Sequence, residues 1–119
     1  MESKRRGCAM EAFVKGDIVV MPFPFTDLSS TKKRPALIIS TLLGDDLVVC
    51  QITGKIKEDS YVIELKDSEI VGGKLKGDSY IRTNKLFTAD KSIIEYKIGS
   101  LKRESMVGVK NKIIEIIKN

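Results

Sequence analysis

KKRPALIIS (Lys32–Ser40) and LVVCQIT (Leu47–Thr53) are short apolar runs rich in branched side chains, separated by TLLGDD. Runs of this length, with a polar stretch before them and a glycine after, read as the two strands of a hairpin. A turn near Leu43-Gly44 pairs residues whose numbers sum to about 87. Ser40 then faces Leu47, Ile38 faces Val49, Ala36 faces Gln51 and Arg34 faces Thr53. Side chains alternate along a strand, so Arg34, Ala36, Ile38 and Ser40 share one face with their partners. Most of that face is apolar, but its open end sets a guanidinium beside a hydroxyl. Leu-Gly is a weak hairpin turn, and a longer loop through Asp45-Asp46 would shift the register.

Upstream of the hairpin, Gly16-Asp17 opens the apolar run Ile18-Val19-Val20-Met21, which reads as a buried strand that Pro22-Phe23-Pro24-Phe25 ends. Residues 26–33 (TDLSSTKK) form a polar connection expected as a surface loop. Downstream, Tyr61–Leu65 alternates as a strand and Glu69-Ile70-Val71 adds a short one. Asp78–Phe87 is a longer strand with Tyr80, Arg82 and Asn84 on one face. Thr88–Lys91 reads as a turn, and Ile93-Ile94 begins a short helix or strand. Ser100 is the expected N-cap of a C-terminal helix, whose stripe of Met106, Val109, Ile113, Ile116 and Ile117 packs on the sheet. Five to seven short strands and a terminal helix predict a mainly β (α+β) fold, a small SH3-like barrel over residues 15–119. Residues 1–14 are expected to be a peripheral tail.

The 119 residues are enough for one domain with a real core. No apolar run has the length of a membrane span, no signal-peptide core follows Lys4-Arg5-Arg6, and the expected location is the cytoplasm without membrane association. Histidine is absent, which removes a histidine base, a histidine metal ligand and a Ser-His-Asp triad. Cys8 and Cys50 make no disulfide framework, and Cys50 reads as a small core residue. No metal or other cofactor is expected. What remains is arginine, lysine, hydroxyl and carboxylate chemistry, which suits phosphate. Net charge is +5, a mild excess that favours a polyanion only slightly.

Arg34, Thr53, the neighbouring Lys32 and Lys33, and Lys55 past the strand end are the convergent candidates. A guanidinium fork matches two phosphate oxygens, and a threonine hydroxyl adds a neutral donor. The plainer reading is that Arg34 opens a strand, Thr53 closes one, and the lysines solvate a loop. The same two readings apply to Lys74, Lys76, Arg82 and Lys85. Tyr61 and Tyr80 offer rings for stacking on bases, though partial burial in the sheet uses them equally well. From pattern alone the plainer reading carries more weight.

Resemblance reverses that order. The segments GDIVVMPFPFTDLSSTKKRPALIIS (Gly16–Ser40), VVCQITGK, DSYIRTNKLF and IGSL, in this order and spacing, resemble the MazF/PemK family of toxin endoribonucleases. The resemblance implies an SH3-like barrel, a homodimer, metal-independent cleavage of single-stranded RNA or mRNA, and neutralisation by a cognate antitoxin protein. It places the family's catalytic arginine on Arg34 and its catalytic threonine on Thr53. RNA binding is then expected from Asp27, Thr31, Lys32, Lys33, Gln51, Lys55 and Arg82. Two departures are visible: Gln51-Ile52-Thr53-Gly54 stands where many relatives have PIT followed by serine, and TDLSSTKK lacks the glycine-rich form of that loop. The rival functions on such a barrel are a CcdB-like toxin that binds a protein target and a noncatalytic RNA-binding domain.

Overall fold

The computed structural model describes residues 12–24, 31–55 and 60–119. Among them are β1 (Asp17–Pro24), β2 (Thr31–Thr41), β3 (Asp46–Thr53), β4 (Val62–Leu65), β5 (Ile70–Val71), β6 (Ser79–Asp90), β7 (Tyr96–Leu101) and α1 (Arg103–Lys118). The strands form one antiparallel sheet in the order β4-β6-β3-β2-β1-β7-β5, rolled into a half-barrel with α1 packed on it. This is the mainly β barrel with a terminal helix that the sequence predicts. Among the described residues no helix is long and apolar enough to cross a membrane.

The hairpin of β2 and β3 keeps its expected register only in part. Ala36 faces Gln51, Leu37 faces Cys50 and Ile38 faces Val49, but Ser40 faces Val48 rather than Leu47. A bulge between Ile38 and Ser40 absorbs one residue and shifts the turn end. The turn itself is the longer one: Leu42 N–H donates to Asp46 O at 3.0 Å, and Gly44 sits at φ 77°, a left-handed conformation that glycine adopts without strain.

Proline does not end β1 at Met21. β1 continues to Pro24, and Pro22, Phe23 and Pro24 face Lys33, Lys32 and Thr31, so residues 31–33 belong to β2 rather than to a loop. The backbone accounts for this. Pro35 has no N–H, so its pairing with Val20 must be one that exchanges no hydrogen bonds, and Val20 directs its polar groups to the other side. There its carbonyl accepts from Glu95 N–H at 2.8 Å. Pro22 and Pro24 share Val20's phase, and their nitrogens point past the end of β7, where no ladder bond is lost.

Two apolar clusters occupy the two faces of the sheet. Ile18, Leu37, Cys50, Ile52, Ile70, Ile81 and Leu101 pack against Met106, Val109 and Ile113 of α1. Val19, Met21, Phe23, Ala36, Ile38, Leu47, Val49 and Ala89 form the second cluster, with half-buried Phe13 and Ile94 against it. Each fully buried aliphatic side chain contributes roughly 1.5–3 kcal/mol relative to exposure. On α1 the stripe is shorter than expected: Ile116 is half-buried, and Ile117 is 73% exposed.

Ser100 is not a helix cap. It lies in β7, and its hydroxyl donates to Asp17 Oδ1 at 2.9 Å; α1 begins after Lys102, which makes no side-chain cap. Asp17 is 1% exposed and also accepts from Val14 N–H at 3.0 Å, with Lys97 Nζ 3.3 Å from Oδ1. The Gly-Asp pair thus ties the chain's entry to β7. The expected turn at 88–91 lies one element later, because β6 runs to Asp90 and a single 3-10 turn follows at Lys91–Ile93.

Candidate functional site

Pro35 also fixes where the hairpin opens. Its nitrogen looks toward β3, where a ladder bond would need an N–H, and the β2–β3 ladder ends at Ala36 opposite Gln51. Arg34 and Thr53 are therefore not ladder partners. They stand one same-face step beyond the last rung, each held by its outer neighbour. Arg34 lies opposite Met21 of β1, and Thr53 opposite Tyr80 of β6.

The cross-strand pairings settle which residues share this face. Leu37 with Cys50, and Ile52 with Ile81 and Ile63, belong to the cluster beneath α1. Arg34, Ala36, Gln51, Thr53, Tyr80, Arg82 and Glu64 alternate with them and lie on the face away from the helix. Thr53 opposite Tyr80, and Tyr80 opposite Glu64, extend the step holding Arg34 into a row across β2, β3, β6 and β4. The row reads guanidinium, hydroxyl, phenol, carboxylate.

Arg34 is half-buried and Thr53 is 8% exposed. Thr53 Oγ1 accepts from Lys55 N–H at 3.2 Å, a local turn that uses an oxygen lone pair and leaves the O–H to donate outward. Gly54 and Lys55 are exposed beyond it. Burial, and the carboxylates of Asp78 and Glu64, raise the Tyr80 phenol above its ordinary value, so it stays neutral and able to donate. Between Cys50 and Ile52 the β3–β6 register slips, and residues 82–85 are taken up as an irregularity of β6. Thr83, fully buried, holds that bend by donating its hydroxyl to Tyr61 O. Arg82 is half-buried, and its buried Nε makes no hydrogen bond among the described residues.

Of the residues expected at the site, the sheet brings Arg34, Gln51, Thr53 and Arg82 onto one face, with exposed Lys32 beside them opposite Phe23. Lys33 does not join them. It alternates to the other side, and its ammonium lies 3.4 Å from Glu95. Thr31 begins β2, and Asp27 lies outside the described residues. Glu64 is the site neighbour that the sequence reading did not raise, and Tyr80 enters it only as a ring for stacking. Alternation within each strand was readable, but the pairing of β3 to β6 and of β6 to β4 was not. Cys50 is fully buried with its thiol pushed up to about 12 by burial, which makes it inert as a nucleophile. Among the described residues no three carboxylates or thiols converge as a metal cage.

A family profile described as PemK-like, MazF-like toxin of type II toxin-antitoxin system matches residues 14–117. No curated protein matches the chain in sequence. Among solved structures, an endoribonuclease in complex with its cognate antitoxin from a mycobacterial species superposes with a TM-score of 0.69 at 16% identity, covering 90% of this chain and 96% of that one. A MazE-MazF structure from Deinococcus radiodurans has a TM-score of 0.69 at 17% identity, covering 88% and 95%. MazF from the same organism gives 0.68 at 16%, covering 92% and 99%. At such identities these likenesses speak for the fold.

Proposed function

The chain belongs to the PemK-like, MazF-like toxin family of type II toxin–antitoxin systems, and from that membership we propose that it is a metal-independent endoribonuclease of single-stranded RNA. The observation that carries the reading is the placement of Arg34 and Thr53 on one face at the mouth of the β2–β3 hairpin. RNA supplies its own nucleophile. The 2′-oxygen loses its proton and attacks phosphorus, the bond from phosphorus to the 5′-oxygen breaks, and that oxygen takes up a proton. The products are a 2′,3′-cyclic phosphate and a 5′-hydroxyl. Arg34 gives an N–H proton to the departing 5′-oxygen and takes the 2′-proton in exchange, so its charge is unchanged over the reaction. It also stabilises the charge that grows on the nonbridging oxygens, and Thr53 donates a second hydrogen bond to the same group. Lys32, Gln51, Lys55 and Arg82 hold the strand on either side. Lys33 requires release from Glu95 before it contributes.

The protein acts in this reading as a cytoplasmic homodimer, silenced by a cognate antitoxin of the kind that the mycobacterial and Deinococcus neighbours are described with. The test is incubation of the purified protein with a long RNA in EDTA, followed by mapping of the ends. Cyclic-phosphate and 5′-hydroxyl ends at recurrent short sequences are expected. RNA that is bound in a salt-dependent way but left intact would overturn the catalytic reading and leave a binding domain.

A further inference from the structure

The row across β2, β3, β6 and β4 ends in a group that phosphate chemistry does not explain. Glu64 is exposed, lies opposite Tyr80, and among the described residues forms no ion pair. Two strand spacings, on the order of 10 Å, separate its backbone from that of Thr53. An ionised carboxylate has acceptors only and repels phosphate, so at this distance it suits a neighbouring group that offers N–H donors. Single-stranded RNA offers such donors on its bases, whose Watson–Crick edges are open to a protein. Guanine presents its ring N1–H and its exocyclic amine side by side, matching the two carboxylate oxygens. Adenine, cytosine and uracil each set a donor against an acceptor that the carboxylate would oppose. Arg82, diagonal to Glu64 on the same face, supplies a cation that keeps the strand near despite the negative charge. Tyr80, buried and opposite both Thr53 and Glu64, stands between the two ends of the row.

We propose that Glu64 is a specificity residue that reads a guanine flanking the cleaved phosphate through paired N–H···O bonds, an assignment that rests on the endoribonuclease reading. Its test uses the full chain, wild type and Glu64→Gln, on a degenerate RNA library with the cut ends sequenced. Glutamine keeps the shape but replaces one acceptor by a donor, and an exposed position tolerates it. Wild type is expected to enrich guanine within two nucleotides of the cut. Glu64→Gln is expected to lose roughly tenfold of that preference, the scale of one bidentate base contact. Inosine in place of that guanine removes the exocyclic amine. It should slow wild type by a similar factor and leave Glu64→Gln indifferent. Wild type that cuts RNA without guanine near the cut, or a variant with an unchanged profile and unchanged inosine sensitivity, overturns the assignment alone. Wild type that cuts no RNA removes the endoribonuclease reading with it.

Discussion

At the residue scale, the question for Arg34 is whether charge or geometry matters. Arg34→Lys keeps the positive charge and loses the planar fork with its matched donors. If the guanidinium stabilises the developing phosphorane, turnover at saturating RNA should fall by roughly 10²–10³, the usual cost of a lost transition-state donor. RNA affinity should change little, because the charge beside the phosphate is conserved. Thr53→Val, similar in shape without the hydroxyl, should show the same separation more mildly, and it also loses the acceptor for Lys55 N–H. Near-normal single-turnover rates for Arg34→Lys would reduce Arg34 to a binding residue. Asp17 poses a structural question instead. It is buried and gathers a serine hydroxyl, a backbone N–H and an ammonium at the junction of β1 and β7. Asp17→Asn keeps the shape but weakens three charge-assisted contacts, so unfolding in urea should report a loss of about 2 kcal/mol, with cleavage by the remaining folded protein unaffected.

At the element scale, the strands were legible wherever a single run carried the signal, and illegible wherever backbone bonding decided the outcome. LVVCQIT and the alternating Tyr61–Leu65 segment read correctly because their side chains alone specify a pleated, half-buried surface. β1 read short because Pro22 and Pro24 look like terminators until the phase of the Val20 carbonyl shows that their missing donors face no partner. The Arg34 and Thr53 face was legible from parity alone, whereas the Ser40 register was not, since a bulge leaves no mark in an apolar run. β7 went unread because Glu95-Tyr96-Lys97 is polar, and because Ser100 offered a helix cap that Asp17, 83 residues away in sequence, claims instead. The helix stripe gives this reading a measurable form. Ile113 is 8% exposed and packs in the cluster beneath the sheet, while Ile117 is 73% exposed. Ile113→Ala should cost about 2–5 kcal/mol, and Ile117→Ala should stay within about 0.5 kcal/mol in the monomer. Equal losses in denaturant titrations would mean that α1 is rotated about its axis relative to this structure.

At the scale of the whole molecule, an open sheet with β4 and β5 at its edges leaves backbone donors and acceptors to be covered, a role that the homodimer proposed above would fill. Sedimentation at micromolar concentration should show the dimer, and a persistent monomer would count against it. The fold makes a sharper statement about where catalysis sits in such an assembly. Arg34 and Thr53 stand on adjacent strands of one sheet, so one protomer carries both halves of the proposed centre, and a partner would lengthen the proposed RNA groove without completing that centre. Mixing Arg34→Lys with Thr53→Val after subunit exchange distinguishes this from a shared centre. In a centre built across the interface, each mixed dimer would regain one intact arginine–threonine pair, and random exchange would restore about a quarter of wild-type activity. In a centre confined to one sheet, every protomer in the mixture still carries one defect. Cleavage should then remain at the average of the two parent variants, however complete the exchange. Recovery toward a quarter of wild type would place Thr53 of one protomer against Arg34 of the other and overturn the single-sheet site.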